Sequence, residues 1–338
     1  MKEALFYSKL EGGKVRCLLC ARRCFINPGK AGLCKARKNI GGTLYALTYG
    51  KPCAISTDPI EKKPLFHFLP GTFALSISAR GCNFRCKFCQ NYAISQIEDD
   101  SPLLQAEEMR DHRKVSPSEI VKAAKKEGAA SIAYTYTEPT VFYEYALEIM
   151  KLAKAEGLKN IWVTNGYINK EPLRKMAKYL DAVNIDIKGN EAVYKSLCLA
   201  SQKPVLSTLK EFKKQGIWIE LTILVIPGHN DSPKWVEEIC RWIAENLGEQ
   251  TPLHLSRFFP SYRMGYVEPT PLATLESLHG IAKKSLKYVY IGNLPLEDYE
   301  TTYCARCGHP VIKRSGYKIY FKNPSCPKCG EKIEGAYL

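Results

Sequence analysis

The chain has 338 residues, enough for a core barrel with small satellites. Hydrophobic residues make up 45% and charged residues 25%, an ordinary folded composition that excludes a largely disordered or fibrous protein. The formal charge of +15 drops to roughly +10 once cysteine groups bind metal; it permits an RNA or acidic-protein partner but selects no function, because lysine-rich solvated surfaces are common.

The opening Met1–Tyr7 has no apolar core followed by a small-residue cleavage site, and the longest apolar run, around Ile217–Ile226, is broken by Glu220. Neither an export signal nor a membrane span is expected, and the chain reads as cytoplasmic. Fourteen cysteines in such a chain point to metal or cluster ligation, because a reducing cytosol disfavours structural disulfides. Eleven of them fall into three groups, which divide the chain into a cysteine-rich module over 1–70, a central α/β domain over 71–298 and a small ribbon over 299–338. Cys53, Cys198 and Cys240 stand alone and read as small core residues.

The first group, Cys17, Cys20, Cys24 and Cys34, has the spacing C-x2-C-x3-C-x9-C. Four thiolates there can hold zinc, which needs no further assumption, or a second cluster able to relay electrons. Beyond it, β-like apolar runs at 73–79, 130–134, 160–164, 182–187, 217–226 and 253–258 alternate with helical segments at 116–127, 140–156, 170–180 and 232–247. Such alternation predicts parallel strands joined by right-handed crossovers, as an open sheet or a barrel. Ligands gather at the carboxyl ends of strands in these architectures, and here those ends carry chemistry. The first run is followed by cysteines, the second by Thr135–Pro139, the third by Asn165-Gly166, the fourth by Asp186-Ile187-Lys188 and the fifth by Pro227–Asp231.

The second group, Cys82, Cys86 and Cys89, has the spacing C-x3-C-x2-C on the loop after the first run. Three close thiolates match three irons of a cubane and leave the fourth iron open, whereas structural zinc needs four closed ligands. An open iron can chelate the amino and carboxylate groups of S-adenosylmethionine (SAM). The third group, Cys304-x2-Cys307 and Cys326-x2-Cys329, has a glycine after each second cysteine and reads as two knuckles over one structural zinc, with β-like alternation at 315–322 between them. A rubredoxin-like iron is the lesser alternative. His229, His254 and His279 remain unassigned, although His254, near the end of the last run, could approach the strand ends.

These motifs resemble the radical SAM superfamily. The resemblance is carried by the triplet loop, by Asp58–Phe68, by Tyr134–Pro139 and by Val163–Tyr167, and it is similar to the pyruvate formate-lyase activating enzyme-related group, most of all to the AmmeMemoRadiSam system radical SAM enzymes. It implies a partial parallel (β/α)6 barrel, and it implies SAM contacts. Glu138 occupies the glutamate position of a Gly-Gly-Glu motif whose backbone meets the SAM amino group, Asp186 and Lys188 match an Asp-x-Lys facing its ribose and carboxylate, and Asn165 lies in the next SAM-facing turn. Two features depart from the pattern: Tyr136 and Thr137 replace the paired glycines, and Val163 stands where activating enzymes often carry an acid.

The expected activity is reductive cleavage of SAM at a 4Fe-4S cluster to a 5'-deoxyadenosyl radical that abstracts hydrogen from a partner, with no catalytic side chain assigned. By resemblance the partner is a protein, with AMMECR-type and Memo-type proteins as candidates and a one-electron donor required. RNA modification is the alternative that the basic balance allows. A zinc-stabilised scaffold without SAM chemistry is the alternative from another class.

Overall fold

The computed structural model describes residues 1–97, 114–321 and 323–337. They form two compact units, one of Met1–Asp58 with Phe73–Asp181 and the other of Pro59–Thr72 with Ala182–Leu338.

The first unit opens with two small antiparallel sheets. Strand β1 (Val15–Cys17) pairs with Tyr7–Lys9 on one side and Phe25–Ile26 on the other. Strand β2 (Arg37–Ile40) pairs with β3 (Thr43–Ala46). A parallel sheet follows, with β4 (Phe73–Ser78), β5 (Ser131–Tyr134) and β6 (Lys159–Thr164) side by side in chain order. Ala74 lies opposite Ser131 and Lys159 opposite the same residue, so the three strands are in step. Nearly every residue of β4 and β5 is buried, the continuous apolar pattern of strands covered on both faces.

Helices α1 (Pro117–Lys126), α2 (Tyr143–Ala155) and α3 (Lys170–Ala177) make the crossovers. Ser116 and Glu119 close a capping box at the start of α1, with Pro117 at the first helical position, so its amino end is specified locally. Ile120, Val121 and Ala124 form its buried face.

The second unit repeats the plan. Strands β7 (Ala182–Asp186), β8 (Trp218–Val225), β9 (Leu253–Arg257) and β10 (Val289–Gly292) are parallel and adjacent in chain order. The connections carry α4 (Glu191–Cys198), α5 (Gln202–Lys214), α6 (Pro233–Leu247) and α7 (Leu272–Ala282). A hairpin of β11 (Pro310–Ser315) and β12 (Lys318–Tyr320) completes it, and Lys322, at the end of the alternating segment, lies outside the described residues. The βα alternation and parallel strands expected from sequence are present in both units. Strand β10 and helix α7 are additions to the sequence reading. Among the described residues no helix is long and apolar enough to cross a membrane.

A buried polar network holds the ribbon end of the second unit. Glu220 on β8 accepts hydrogen bonds from the backbone of Phe66 (2.9 Å) and His67 (2.8 Å), from Trp218 Nε1 (3.1 Å) and from His254 Nε2 (2.8 Å). Arg314 on β11 donates to Phe66 O (2.6 Å) and stacks over the Phe66 ring. His67 bridges Tyr290 Oη (2.6 Å) and Glu334 O (2.7 Å). The segment around Phe66 and His67 is therefore structural mortar between strand and ribbon. His254 belongs to the same network. It is the second residue of β9, at that strand's amino end, and its ring is buried against Glu220 rather than placed at the carboxyl ends of the strands.

Candidate active site

The loop after β4 is shaped by Gly81. Its φ is +97°, and a Cβ there would stand 2.3 Å from Cys34 O, so only glycine lets the loop pass this backbone. Cys82 follows at once. Its sulfur accepts from Phe84 N (3.3 Å) and lies 3.8 Å from Asn165 Nδ2. Phe84 and Phe88, between the cysteines, are buried and exclude water, Phe84 meeting Tyr167 edge-to-face with ring centres 5.0 Å apart. Cys89 Sγ lies 3.1 Å from Ser95 Oγ on the short helical turn that ends the loop. Burial pushes the Cys82 thiol well up, with the charges of Glu138 and Cys86 adding to it. A thiolate there needs a cation to offset it, which is what a cluster iron supplies.

Around the triplet, the ends of β5 and β6 are tied by Glu138. One carboxylate oxygen accepts from Thr140 N (3.0 Å), Thr140 Oγ1 (2.5 Å) and Thr164 Oγ1 (2.8 Å), and the other from Asn165 N (2.9 Å). Burial raises its pKa, partly countered by these donors. The side chain is thus committed to scaffolding, and the backbone carbonyl accepts from Val141 N (3.1 Å). Asn165 is held on every polar atom it offers: its amide nitrogen donates to Asn83 Oδ1 (2.8 Å), and its oxygen accepts from Tyr167 N (3.0 Å).

Tyr136, standing where the family motif has glycine, keeps a positive φ of 63°. Its ring hydroxyl donates to Asp58, which also accepts from Ser76 Oγ (2.7 Å), and its carbonyl accepts from Asn91 Nδ2 (2.7 Å). Its backbone therefore lies in the left-handed region that glycine favours. Thr137, in the second glycine position, donates to Ala79 O (2.6 Å) and tightens the same loop.

In the second unit, Asp186 ends β7 and Lys188 follows two residues later, the two paired at 3.0 Å and partly open to solvent. Tyr194 Oη accepts from Lys188 N (3.2 Å), and Asn230 Nδ2 donates to Lys188 O (2.8 Å) and Leu224 O (2.8 Å), so the ends of β7 and β8 are locked together. Sequence reasoning missed Asn83, which fixes the backbone beside the triplet in the first unit, and Tyr194 and Asn230, which fix the backbone at Lys188 in the second. Asn83 and Asn230 are single polar residues in loops and Tyr194 lies inside helix α4, and none belongs to a pattern that announces its role.

The ribbon cysteines meet. Among the described residues, Cys304, Cys307, Cys326 and Cys329 alone form a group whose ligand atoms all lie within 4.8 Å of one another. The pairs Cys304–Cys329 and Cys307–Cys326 stand 3.6 Å and 3.5 Å apart. A tetrahedral zinc with 2.3 Å bonds to sulfur needs separations of roughly 3.8 Å, so the donor set fits one such ion. The N-terminal cysteines line a shared cavity instead.

The Radical SAM superfamily model matches residues 76–243. A protein of Methanocaldococcus jannaschii, "Uncharacterized protein MJ0808", is 47% identical over 99% of both chains. The chain belongs to the radical SAM superfamily. From the same organism, "Putative glycyl-radical enzyme activating enzyme MJ1632" is 26% identical over 50% of this chain and 62% of its own length. Among solved structures, a domain of pyruvate-formate lyase-activating enzyme from Bacteroides vulgatus aligns with a TM-score of 0.44 at 16% identity, covering 49% of this chain and all of that domain. Membership sets aside the scaffold without SAM chemistry: the chain is a radical SAM enzyme.

Proposed function

We propose that the enzyme binds a 4Fe-4S cluster through Cys82, Cys86 and Cys89, cleaves SAM reductively, and abstracts hydrogen from a protein or peptide partner. The observation that carries the reading is the triplet loop itself, three thiolates after β4 with Asn165 beside Cys82 and a glycine-like backbone at Tyr136. When bound, the cluster and SAM supply one-electron cleavage of a carbon–sulfur bond and the 5'-deoxyadenosyl radical. The chain's own part is positioning. Gly81 sets the loop, Phe84 and Phe88 keep water from it, and Glu138 fixes the strand ends so that the backbone near residues 136–138 can meet the SAM amino group. Asn165 orients the turn beside Cys82. Asp186 and Lys188 are proposed as the ribose and carboxylate contacts.

The relative named as an activating enzyme supports a protein substrate. AMMECR-type and Memo-type proteins are the candidates carried by the resemblance, and a one-electron donor is required. The ribbon cysteines are assigned a structural zinc, and the cytoplasm remains the proposed compartment.

The test is anaerobic reconstitution, reduction with dithionite in the presence of SAM, and chromatographic assay for 5'-deoxyadenosine. Wild type should form it and Cys86→Ala should not. Wild type that carries a reduced cluster yet never cleaves SAM, with or without each candidate protein or bulk RNA, would overturn the reading. Deuterium transfer from a labelled partner into 5'-deoxyadenosine would separate a protein substrate from RNA.

A further inference from the structure

The N-terminal cysteines come from four separate supports. Cys17 ends β1; Cys20 bridges to Ile168, and its carbonyl accepts from Asn169 Nδ2 at 2.9 Å. Cys24 is fixed by its carbonyl on Cys17 N (2.9 Å), and Cys34 leads into the backbone that Gly81 crosses. All four line one cavity, together with Arg22 and Arg37.

Three observations decide what the cavity takes. First, no three of these sulfurs gather within 4.8 Å, whereas the ribbon's four do. Sulfurs that share one zinc must crowd around it, while sulfurs that each bind a different iron of a cubane stand farther apart. The triplet, whose family holds a cubane, likewise forms no such close group among the described residues. Second, two residues that line the cavity carry buried donor atoms without partners, although the rest of the Arg37 guanidinium is engaged by Glu144 and Leu5 O. Arg37 is 1% exposed; its Nε, like Nη2 of Arg22, meets no acceptor among the described residues. The Nη1 of Arg37 lies 3.8 Å from Cys17 Sγ. Bridging sulfides give such donors acceptors inside the cavity that a lone metal ion lacks. Third, Asn83 lines this cavity while its Oδ1 accepts from Asn165, the residue beside Cys82.

We propose that Cys17, Cys20, Cys24 and Cys34 hold a second iron–sulfur cluster of four irons, closed on all sides by protein thiolates and adjacent to the triplet loop. Unlike the triplet's cluster, it has no iron left for SAM. Arg22 and Arg37 hydrogen-bond its sulfides, and Asn83 is shared by the two sets.

The experiment uses the full chain with Cys82, Cys86 and Cys89 all replaced by Ala, reconstituted anaerobically with iron and sulfide and analysed for iron, acid-labile sulfide and zinc. The expected content is about four irons and four sulfides per chain in this variant and about eight of each in wild type, with one zinc in both. Cys20→Ser with Cys34→Ser in the otherwise wild-type chain should fall to about four irons, keeping the cluster whose EPR signal responds to SAM. A triplet variant with no iron and a second zinc would overturn the proposal, and so would one with neither. Should the variants not fold, Mössbauer counting on wild type decides: four irons per chain rather than eight rejects the second cluster. If the triplet reading were the one at fault, the Cys20/Cys34 variant would carry no SAM-responsive cluster, whatever the triplet variant bound.

Discussion

The two four-cysteine groups use the same ligands and close differently. In the ribbon each pair sits on its own knuckle, and the two knuckles are built alike. Cys304 N donates to His309 O (2.8 Å) and Gly308 N to Cys304 O (2.9 Å); Cys326 N donates to Glu331 O (2.8 Å) and Gly330 N to Cys326 O (2.9 Å). Gly308 and Gly330 both take the left-handed conformation that turns the chain back. Local hydrogen bonds shape each knuckle, and the packing of Cys304 and Cys326 against Phe66, Tyr288 and Tyr290 brings the two knuckles together. The N-terminal sulfurs are held by long-range partners such as Asn169 and the Gly81 loop, which keep them apart around a space. Where ligands are paired by the local chain, the site fits a single ion; where the fold collects each one, the site can be larger.

The largest expected effect separates the two groups directly. Cys326→Ala should empty the ribbon, removing metal-coupled folding energy on the order of 10 kcal/mol, and should open the segment after residue 298 to limited proteolysis. Cys20→Ala should lose iron and leave that segment resistant. If Cys20→Ala also exposed the ribbon, the two groups would not be independent and the contrast between them would fail.

A second effect, of about 3 kcal/mol, comes from the network under the ribbon. Burial pushes the His67 pKa down to about 4, the Glu220 charge opposing it only in part. The unfolded chain, with an ordinary histidine near 6.5, therefore binds more protons than the folded one between pH 6.5 and 4. The contribution is full above pH 6.5 and is lost as the pH falls toward 4. Urea denaturation of the zinc-loaded protein across this window should show that slope, and His67→Gln should flatten it. An unchanged slope in the variant would mean that His67 is not the group that titrates.

Gly81→Ala tests the other side of the comparison, at about 1–3 kcal/mol. The new methyl would meet Cys34 O at 2.3 Å, so the triplet loop and the N-terminal cysteines must move apart. Iron content should fall while zinc stays constant. Zinc lost together with iron would show that the two regions are mechanically coupled.

Much of this was legible in the sequence, for reasons that also mark its limits. Strands β4 to β9 stand out because near-continuous apolar runs are what strands covered on both faces require, and the triplet and ribbon because their cysteines lie within one loop or two knuckles. Strand β10, Val289–Gly292, was missed although it is as long as β5. Helix α7 was missed because apolar residues are spread around it, with Leu275, Leu278 and Ala282 buried and Leu272 exposed. His254 was misplaced although the apolar run at 253–258 and strand β9 both begin at Leu253, which puts it at the amino end. The scaffolding by Glu138, Asn83 and Glu220 depends on partners tens to hundreds of residues away, and no local pattern encodes those.

The smallest expected effect concerns the position where this chain departs from its family. Tyr136 occupies a left-handed conformation, which costs a non-glycine residue roughly 1–2 kcal/mol, while its hydroxyl makes one hydrogen bond to Asp58 that contributes about 1 kcal/mol in return. Tyr136→Gly removes both terms, so its net effect on stability by urea denaturation should stay within about 1 kcal/mol. The bond from Asn91 to the residue 136 carbonyl is a backbone bond and survives the change. If the backbone is what faces SAM here, the rate of 5'-deoxyadenosine formation should also hold, because the ligand-facing groups are unaltered. A collapse of that rate with stability intact would instead place the Tyr136 side chain among the groups that touch SAM or its partner, and the paired glycines of the family motif would then be a poor guide to this enzyme.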